Sequence, residues 1–209
     1  MPNIDEKPFS REKIRFGLGN LFLGKPDYDI IKPKERGIMI QEISVFDYAG
    51  KVLEQIDKGI FLTTKYQDTV NTMTIGWGGV VVIWGRPLFL VLVRDSRATY
   101  ELIEKSNEFT VSIPLNNQLA RELAICGTKS LREVDKFKAC GLTAREGRKI
   151  ATPIIGEAGL HYECKVIYKL PLDQAVVPLA VKNRYYHHNA NHTVYYGEIQ
   201  DQYIVEGGE

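Results

Sequence analysis

The sequence predicts a mainly β protein, an antiparallel barrel that is closed or partly closed and carries a few short helices at its ends. Segments rich in β-branched and aromatic residues follow one another along most of the chain, and turn residues separate them. Helical periodicity is confined to short stretches. Strands and helices do not alternate regularly, which argues against a doubly wound parallel sheet and favours a barrel.

The composition excludes several classes of protein. The 209 residues include 27 Lys and Arg against 26 Asp and Glu, so the charge argues against a general nucleic-acid-binding protein. The longest apolar runs, Val80–Trp84 and Leu88–Val93, fall far short of the ~20 residues of a spanning helix. No signal peptide is visible, and three scattered cysteines provide neither a disulfide framework nor a zinc site. We therefore expect a cytoplasmic protein without a nucleic-acid or membrane partner.

The chain divides into two parts. Residues 1–43 predict an extended arm, because Gly and Pro recur too closely for long helices, with one short strand around Ile38–Ile40. Residues 44–209 form the barrel domain. An arm of this kind is either pinned on a partner subunit or a disordered tail, and the sequence leaves both open.

The first elements of the domain are a helix and a series of strands. Ser44 and Asp47 have the spacing of a capping box. An apolar stripe from Phe46 to Ile56 predicts the helix, and Gly59 ends it. The predicted strands that follow are Ile60–Tyr66, Val70–Gly76, Val80–Trp84 and, after a break at Arg86 and Pro87, Leu88–Val93.

The second half of the domain mixes short helices with long strands. The predicted helices are Arg97–Lys105, Leu119–Ile125 and Leu131–Phe137. The predicted strands are Glu108–Ile113, the alternating segment Leu160–Leu170, and Val194–Val205, which is broken at Gly197.

The stretch from Asn71 to Gly79 carries the first chemical signal. Small hydroxyl and amide side chains precede a cluster of glycines inside a predicted strand. Glycines let a flat ligand approach the backbone, and Asn and Thr supply donors and acceptors for a ring edge with carbonyl and nitrogen groups. The alternative is a glycine-rich barrel corner that binds nothing.

A second signal lies where a buried strand meets a helix. Arg94 and Arg97 bring two guanidinium groups, and Ser96 and Thr99 bring two hydroxyls, to a predicted helix N-terminus. Such an end favours an anion, and a phosphate monoester fits it. The alternative is that Ser96 is an ordinary N-cap beside solvated arginines. A flat polar ring and a phosphate together point to FMN.

A third cluster runs from Cys126 to Ser130 and continues at Lys136. Gly, Thr, Lys and Ser can surround a phosphate or a sugar chain, although the spacing is not that of a P-loop. The alternative is a plain connection between helices. Cys126 has no evident base and reads as a small buried thiol rather than a nucleophile.

The histidines near the C-terminus do not predict a metal site. His188 and His192 are four residues apart, but the asparagines around them disfavour a helix, and no carboxylate or thiol has a suitable offset. A solvated loop from which His192 reaches the flavin pocket is the better interpretation.

Several of these motifs, in this order, resemble one family. The segments Lys58–Thr64, Asn71–Gly78, Cys126–Ser130 with Asp135–Phe137, His161–Cys164 and His192–Ile199 are similar to those of flavin reductase-like (flavoredoxin-type) FMN-binding proteins. The similarity extends over about residues 47 to 205. One departure is Leu131-Arg132-Glu133, where the family usually has Gly-Arg-Asp. We expect it to narrow the pocket or to change that loop.

The resemblance implies an FMN-binding split barrel with a Greek-key-like antiparallel order, a homodimer, and FMN near the subunit interface. Residues 71–74 would line the isoalloxazine ring, the arginine motif would hold the phosphate, and Lys129, Ser130 and Lys136 would complete the pocket from the same or the neighbouring subunit. The predicted cofactor-binding residues are Asn71, Thr72, Met73, Thr74, Trp77, Arg94, Ser96, Arg97, Thr99, Tyr100, Cys126, Gly127, Thr128, Lys129, Ser130, Lys136 and His192.

The resulting functional prediction is an FMN-dependent oxidoreductase that passes electrons from NAD(P)H through flavin to an acceptor. Hydride transfer to a flavin requires no side-chain acid or base, so no catalytic residue is assigned. Because no GxGxxG motif is present, we expect NAD(P)H to bind only transiently. The alternatives are a flavoredoxin-type carrier that a partner protein reduces, and a binding module whose flavin site has decayed, which Leu131 would favour.

Overall fold

The computed structural model describes residues 39–115, 117–186 and 191–206. Residues 1–38 of the predicted arm lie outside this part, so the division of the chain at residue 43 stays a prediction. The described end of the arm, Met39–Glu42, forms a strand that pairs with the last strand of the chain. Within the described residues, no helix is both long and apolar enough to cross a membrane.

Short helices lie between strands that range from 2 to 15 residues in length. The strands are β1 (Met39–Glu42), β2 (Ile60–Tyr66), β3 (Thr69–Ile75), β4 (Gly78–Ile83), β5 (Arg86–Arg94), β6 (Glu108–Ile113), β7 (Ala144–Arg145), β8 (Ile154–Ile155), β9 (Leu160–Pro171) and β10 (His192–Glu206). The helices are α1 (Ala49–Ile56), α2 (Ala98–Ser106), α3 (Ala120–Thr128), α4 (Lys136–Cys140) and α5 (Leu179–Tyr185).

Eight strands form one antiparallel sheet in the order β3–β2–β6–β9–β10–β5–β4, with β1 added to β10. The sheet curls around a shared core, because Met73 and Ile75 of β3 pack in the same cluster as Val91 and Val93 of β5, from the other half of the sheet. The predicted mainly β, antiparallel barrel is therefore confirmed. The helices are few and short, as the sequence predicts.

β10 is the longest strand, and it does not break where the sequence suggested. The strand continues through Gly197 with a bulge against β9. A Cβ at Gly197 would clash with the Phe109 ring and would lie 2.8 Å from Cys164 Cβ. The glycine marks a close approach of strand and core, which sequence patterning cannot distinguish from a strand end.

Two other boundaries differ from the predictions because local polar groups decide them. Ser44 and Asp47 build a turn, in which the Asp47 carboxylate accepts from the Ser44 amide at 2.8 Å, and α1 begins only at Ala49. The predicted helix Leu131–Phe137 is wrong. α4 begins at Lys136, since the Asp135 carboxylate caps it by accepting from the Lys138 amide at 3.2 Å.

The predicted break at Arg86 and Pro87 is also wrong, because both residues belong to β5. The chain turns one step earlier, at Trp84 and Gly85, which have φ of 54° and 69°. The β10 ladder with β5 ends at Leu88, so Pro87 lies at the end of β5, where a missing N–H is tolerated. α5 has no counterpart among the predictions.

We predict that Gly197→Ala destabilises the fold. The added Cβ must displace the Phe109 ring or the β9 backbone in a packed core, at a cost of about 1–3 kcal/mol in the free energy of unfolding. Urea denaturation measures this change. The matched control is Gly50→Ala on α1, where a Cβ meets nothing within 4 Å and stability should hold or rise slightly. Equal stability of the two variants would contradict the assignment of Gly197.

Candidate functional site

The strand end of β3, the start of α2 and the first residue of β10 enclose a small cavity of about 180 Å³. We call it the arginine pocket. Its lining residues are Met73, Thr74, Ile75, Gly76, Trp77, Leu92, Arg94, Arg97 and His192. Six of these residues are predicted cofactor-binding residues, and the structure brings them together from three separate segments of the chain. Pairing of β10 with β5 sets His192 opposite Arg94, which explains how residues so far apart in the chain meet.

The arginine pocket is electropositive. Arg94 and Arg97 both line it, and its described lining includes no carboxylate. The Arg94 guanidinium donates to the Tyr185 carbonyl at 3.1 Å, which holds its position against α5. Two guanidinium groups without an opposing acid in the wall suit an anionic group such as a phosphate.

His192 is neutral at physiological pH. Burial is the main cause that lowers the pKa of His192 to about 4. The charges of Arg94 and Arg97 lower it further, and the charge of Asp95 opposes the shift. Its Nδ1 is buried and has no hydrogen-bond partner among the described residues. A buried polar atom without a partner at the wall of a cavity is available to a ligand.

Aromatic rings flank the arginine pocket on the side of α5. The Trp77 ring centroid lies 4.9 Å from that of His192 and 5.2 Å from that of Tyr185. Tyr186 packs edge-on against His192, with centroids 5.4 Å apart. Sequence reasoning missed Tyr185 and Tyr186, although an aromatic pair shortly before the strand that begins at His192 was the available signal.

Three predicted ligand residues turn their side chains inward. The Asn71 amide donates to the Thr99 hydroxyl at 2.7 Å, and the Thr72 hydroxyl lies 3.1 Å from that of Thr63. All of them are buried, so these contacts join β3 to α2 and to β2. Asn71 Oδ1 has no partner among the described residues. Contact of these side chains with a ligand stays a prediction.

Lys136 is buried and connects the third motif to the sheet. Its ammonium donates to the Thr72 carbonyl at 2.8 Å and to the Cys126 carbonyl at 3.0 Å. Burial lowers the pKa of Lys136, with a further contribution from the nearby charge of Arg97. Lys136 therefore holds α3 and α4 against β3, and it does not line the arginine pocket.

Gly127 and Thr128 line a second, larger cavity of about 680 Å³ between α1 and α3. Thr74 belongs to both cavities, and its hydroxyl donates to the Leu123 carbonyl at 2.6 Å. A Cβ at Gly127 would lie 3.3 Å from Thr74 Cβ, so the glycine lets α3 approach β3. The first and third motifs thus meet at Thr74.

The segment Leu131–Glu133, which departs from the family's usual sequence, forms a turn rather than a helix. The Ser130 hydroxyl accepts from the Arg132 amide at 3.2 Å, and the Glu133 carboxylate accepts from the Ser130 amide at 3.4 Å. The Arg132 side chain donates to the Ser96 carbonyl and forms an ion pair with Glu101. This turn ties the third motif to the start of α2.

The remaining predicted residues lie around the pocket. Ser96 is exposed and is not the N-cap of α2, because Arg97 holds that position without a side-chain cap. Lys129 is exposed at the end of α3. Tyr100 packs against the Tyr195 ring with centroids 6.3 Å apart.

His188 lies outside the described residues. Within the described part of the chain, no group of three or more His, Cys, Asp or Glu residues is arranged to hold a metal ion.

Fold and site together define an antiparallel barrel with an arginine-lined pocket beside an edge strand. The chain belongs to the flavin reductase-like family, since residues 57–208 match the family model described as "Flavin reductase like domain". The predicted family resemblance is thereby confirmed.

Solved structures share the fold. Flavoredoxin of Desulfovibrio vulgaris (Miyazaki F) is 26% identical, with a TM-score of 0.54 over 72% of this chain and 69% of that chain. An FMN-binding domain of a flavin reductases-like enzyme from Shewanella baltica is 17% identical, with a TM-score of 0.57 over 81% and 79%. Neighbours of this kind are split barrels, and the family supports the prediction of an FMN cofactor.

An uncharacterized protein of Pyrococcus abyssi is 36% identical over 106 residues. The matched segment covers 50% of this chain and 59% of the length of that relative.

We predict that His192 makes the fold sensitive to acid. The folded pKa of about 4 lies below the ordinary 6.5, so the unfolded state takes up the proton first. The stability that neutral His192 contributes is complete above pH 6.5 and is lost as the pH falls towards 4. Between pH 7.5 and pH 4.5, His192→Gln should therefore lose about 2 kcal/mol less unfolding free energy than the parent protein.

Urea denaturation at several pH values measures this difference. His161, which is fully buried and has a pKa lowered to about 3 by burial, is present in both proteins and cancels in the comparison. Parallel stability curves for the two proteins would show that His192 does not titrate below its ordinary range.

Proposed function

We propose that the protein binds FMN at the arginine pocket and acts as an oxidoreductase that passes electrons from NAD(P)H through the flavin to an acceptor. The observation that carries the proposal is the pair Arg94 and Arg97, set without an opposing acid in the wall of a cavity beside an edge strand. Membership of the flavin reductase-like family supports it. When bound, FMN supplies the hydride and electron chemistry.

The residues present fit the two ends of FMN. Arg94 and Arg97 hold the phosphate by charge-assisted hydrogen bonds. The edge of β3 that pairs with no other described strand serves the ring. The Thr72 carbonyl points away from β2, since it accepts from Lys136, and by strand alternation the Thr74 backbone points the same way. Donors and acceptors along this edge match a ring that carries both carbonyl and nitrogen groups.

Neutral His192 and the Trp77 ring complete the site. The unpartnered His192 Nδ1 offers a polar contact that carries no charge of its own, so the arginines alone neutralise the phosphate. Trp77 and its aromatic neighbours exclude water from the α5 side. The side chains of Asn71, Thr72 and Thr99 support this scheme indirectly, because they hold β3 against α2 and β2.

A flavoredoxin-type electron carrier is the second candidate. The likeness to flavoredoxin of Desulfovibrio vulgaris, at 26% identity, favours it. Such a carrier uses the same FMN site but is reduced by a partner protein, and it does not oxidise NAD(P)H directly.

We predict that Arg97→Gln weakens FMN binding about 10- to 100-fold, because a charge-assisted hydrogen bond is lost. Quenching of flavin fluorescence on titration measures the dissociation constant. Arg97 is chosen because the Arg94 guanidinium also supports α5. The matched control is Arg121→Gln, a largely exposed arginine on α3, which should bind FMN as the parent does. Equal affinity of all three proteins would remove the proposed phosphate site.

Anaerobic titration of the FMN-loaded protein then separates the two candidates. Bleaching of the flavin absorption by NADH or NADPH supports the oxidoreductase. A flavin that ignores both nucleotides, but is reduced by a protein donor such as a reduced ferredoxin, supports the carrier.

We also propose that the protein is a homodimer, with the outer face of β9, β10 and β5 as the interface. Two apolar rows cross this face, one formed by Leu170, Val194 and Leu92, the other by Tyr168, Tyr196 and Leu90. Tyr168 and Leu170 are 44% and 46% exposed in the single chain. Leu92 also lines the arginine pocket, so a second copy on this face would border the FMN site.

We predict that Tyr168→Asp produces a monomer, because a charge in an apolar interface is not compensated. Light scattering coupled to size-exclusion chromatography measures the mass. Phe46→Asp, at an exposed apolar residue before α1, is the control and should remain dimeric. A parent protein that is itself monomeric, or a variant that stays dimeric, would exclude this face.

A further inference from the structure

The helix α5, which lies beside the arginine pocket, leaves its apolar side chains largely in solvent. None of its seven residues is buried, and five of them are exposed. Leu179 and Val181 are 70% and 39% exposed, and Val176, just before the helix, is 80% exposed. A short helix gains most of its stability from packing of an apolar face. The apolar side chains of α5 therefore lack such packing within the described part of the chain.

The same surface is positively charged. Lys182 and Arg184 belong to α5, and residues 174–197 contain no Asp or Glu. Among the described residues, neither cation has an ion-pair partner. Asp173, immediately before this segment, accepts from the Ala175 amide at 2.8 Å. We call the following five residues the α5 surface: Val176, Leu179, Val181, Lys182 and Arg184.

The α5 surface adjoins the arginine pocket through Tyr185. The Arg184 guanidinium lies over the Tyr185 ring, 5.1 Å from its centroid. The same ring packs edge-on against Trp77 of the pocket wall, and the Tyr185 carbonyl accepts from Arg94. The Tyr185 and Trp77 rings therefore connect the α5 surface to the pocket.

We propose that the α5 surface docks a redox protein whose own surface is acidic, and that this partner exchanges electrons with the cofactor of the arginine pocket. The electron exchange rests on the proposed function, whereas the docking does not. Exposed apolar side chains grouped beside charges are typical of interaction sites. A few such side chains next to two unpaired cations suit the small, electrostatically steered interfaces of transient redox complexes.

Charge distinguishes this partner from two other occupants. A second copy of the chain that presented the same surface would place Lys182 and Arg184 opposite their own equivalents, and like charges repel. Anionic membranes are bound by clusters of about 4–8 Lys and Arg residues, whereas α5 carries two. An acidic protein surface compensates both cations without repulsion.

The exchange balances with a one-electron carrier such as a plant-type [2Fe–2S] ferredoxin. Two reduced partner molecules each give one electron, and two protons from solvent complete the two-electron reduction of one bound FMN. In the opposite direction, two oxidised partner molecules each take one electron, and the two protons return to solvent.

The test measures binding of oxidised [2Fe–2S] ferredoxin to the full-length protein without FMN, by isothermal titration calorimetry at about 50 mM and about 300 mM salt. The double variant Lys182→Glu with Arg184→Glu should bind about 10- to 100-fold more weakly at the lower salt concentration, because each reversal replaces attraction by repulsion. The difference should shrink at the higher concentration, since exposed charges are screened. Leu179→Ala should weaken binding about 3- to 10-fold at both concentrations, because salt does not screen apolar contacts.

The matched control is Lys51→Glu with Arg121→Glu. It changes the net charge by the same amount, at exposed positions on α1 and α3. This control should bind ferredoxin nearly as the parent protein does. Circular dichroism verifies the fold of each variant, and light scattering verifies its mass.

A second measurement uses the FMN-loaded protein under anaerobic conditions. Reduction by reduced ferredoxin, followed by stopped-flow absorption, should slow in the double variant, while its affinity for FMN stays that of the parent. A parent protein that binds ferredoxin but not FMN would remove the proposed function and leave the docking site in place.

Three results would overturn the proposal. The first is a parent protein that shows no ferredoxin binding at the lower salt concentration, or that binds it with the same affinity as the charge-reversed variant. The second is charge-dependent binding to phosphatidylserine vesicles without binding to ferredoxin, which would assign the α5 surface to a membrane. The third is a change of mass in the charge-reversed variant, which would assign this surface to a second copy of the chain.

Discussion

The register between β10 and β5 is the constraint on which the site depends. It sets His192 opposite Arg94 and aligns Val194 with Leu92, so that one end of this strand pair borders the arginine pocket and its outer face carries the apolar rows. A slip of one residue would exchange the two faces and bury the wrong side chains. The buried residues Tyr195 and Gly197 oppose such a slip, because a larger residue at Gly197 has no room beside Phe109.

Buried polar groups hold the connecting segments of the barrel in place through directional hydrogen bonds. The Glu163 carboxylate is fully buried and accepts from the backbone amides of Arg148, Lys149 and Ile150 at 2.6–3.0 Å, and from the Tyr203 hydroxyl at 2.7 Å. Lys136 is satisfied by two carbonyl oxygens. Each group has partners in one arrangement only, so these contacts specify where the connecting segments lie on the sheet.

The positive charge of the arginine pocket is not compensated by an acid in its described lining. Lys136 binds neutral carbonyl groups and Arg94 a carbonyl of α5, so none of these contacts supplies negative charge to the pocket. Burial chiefly lowers the pKa of Lys136, and the nearby charge of Arg97 lowers it further.

The sequence by itself determined the fold class and the strands β2 and β6 to the residue, because β-branched and aromatic composition and turn chemistry are local properties. It also determined the family, because several motifs recur in the family's order. It also identified Thr74, Trp77, Arg94, Arg97 and His192, which the structure joins in one pocket. Only the tertiary structure decided that Asn71 and Lys136 turn inward, that Leu131–Glu133 forms a turn, and that Tyr185 reaches Trp77. The physical reason is that a side chain's partner belongs to another element, and pairing between distant elements is set by packing, which no local pattern encodes.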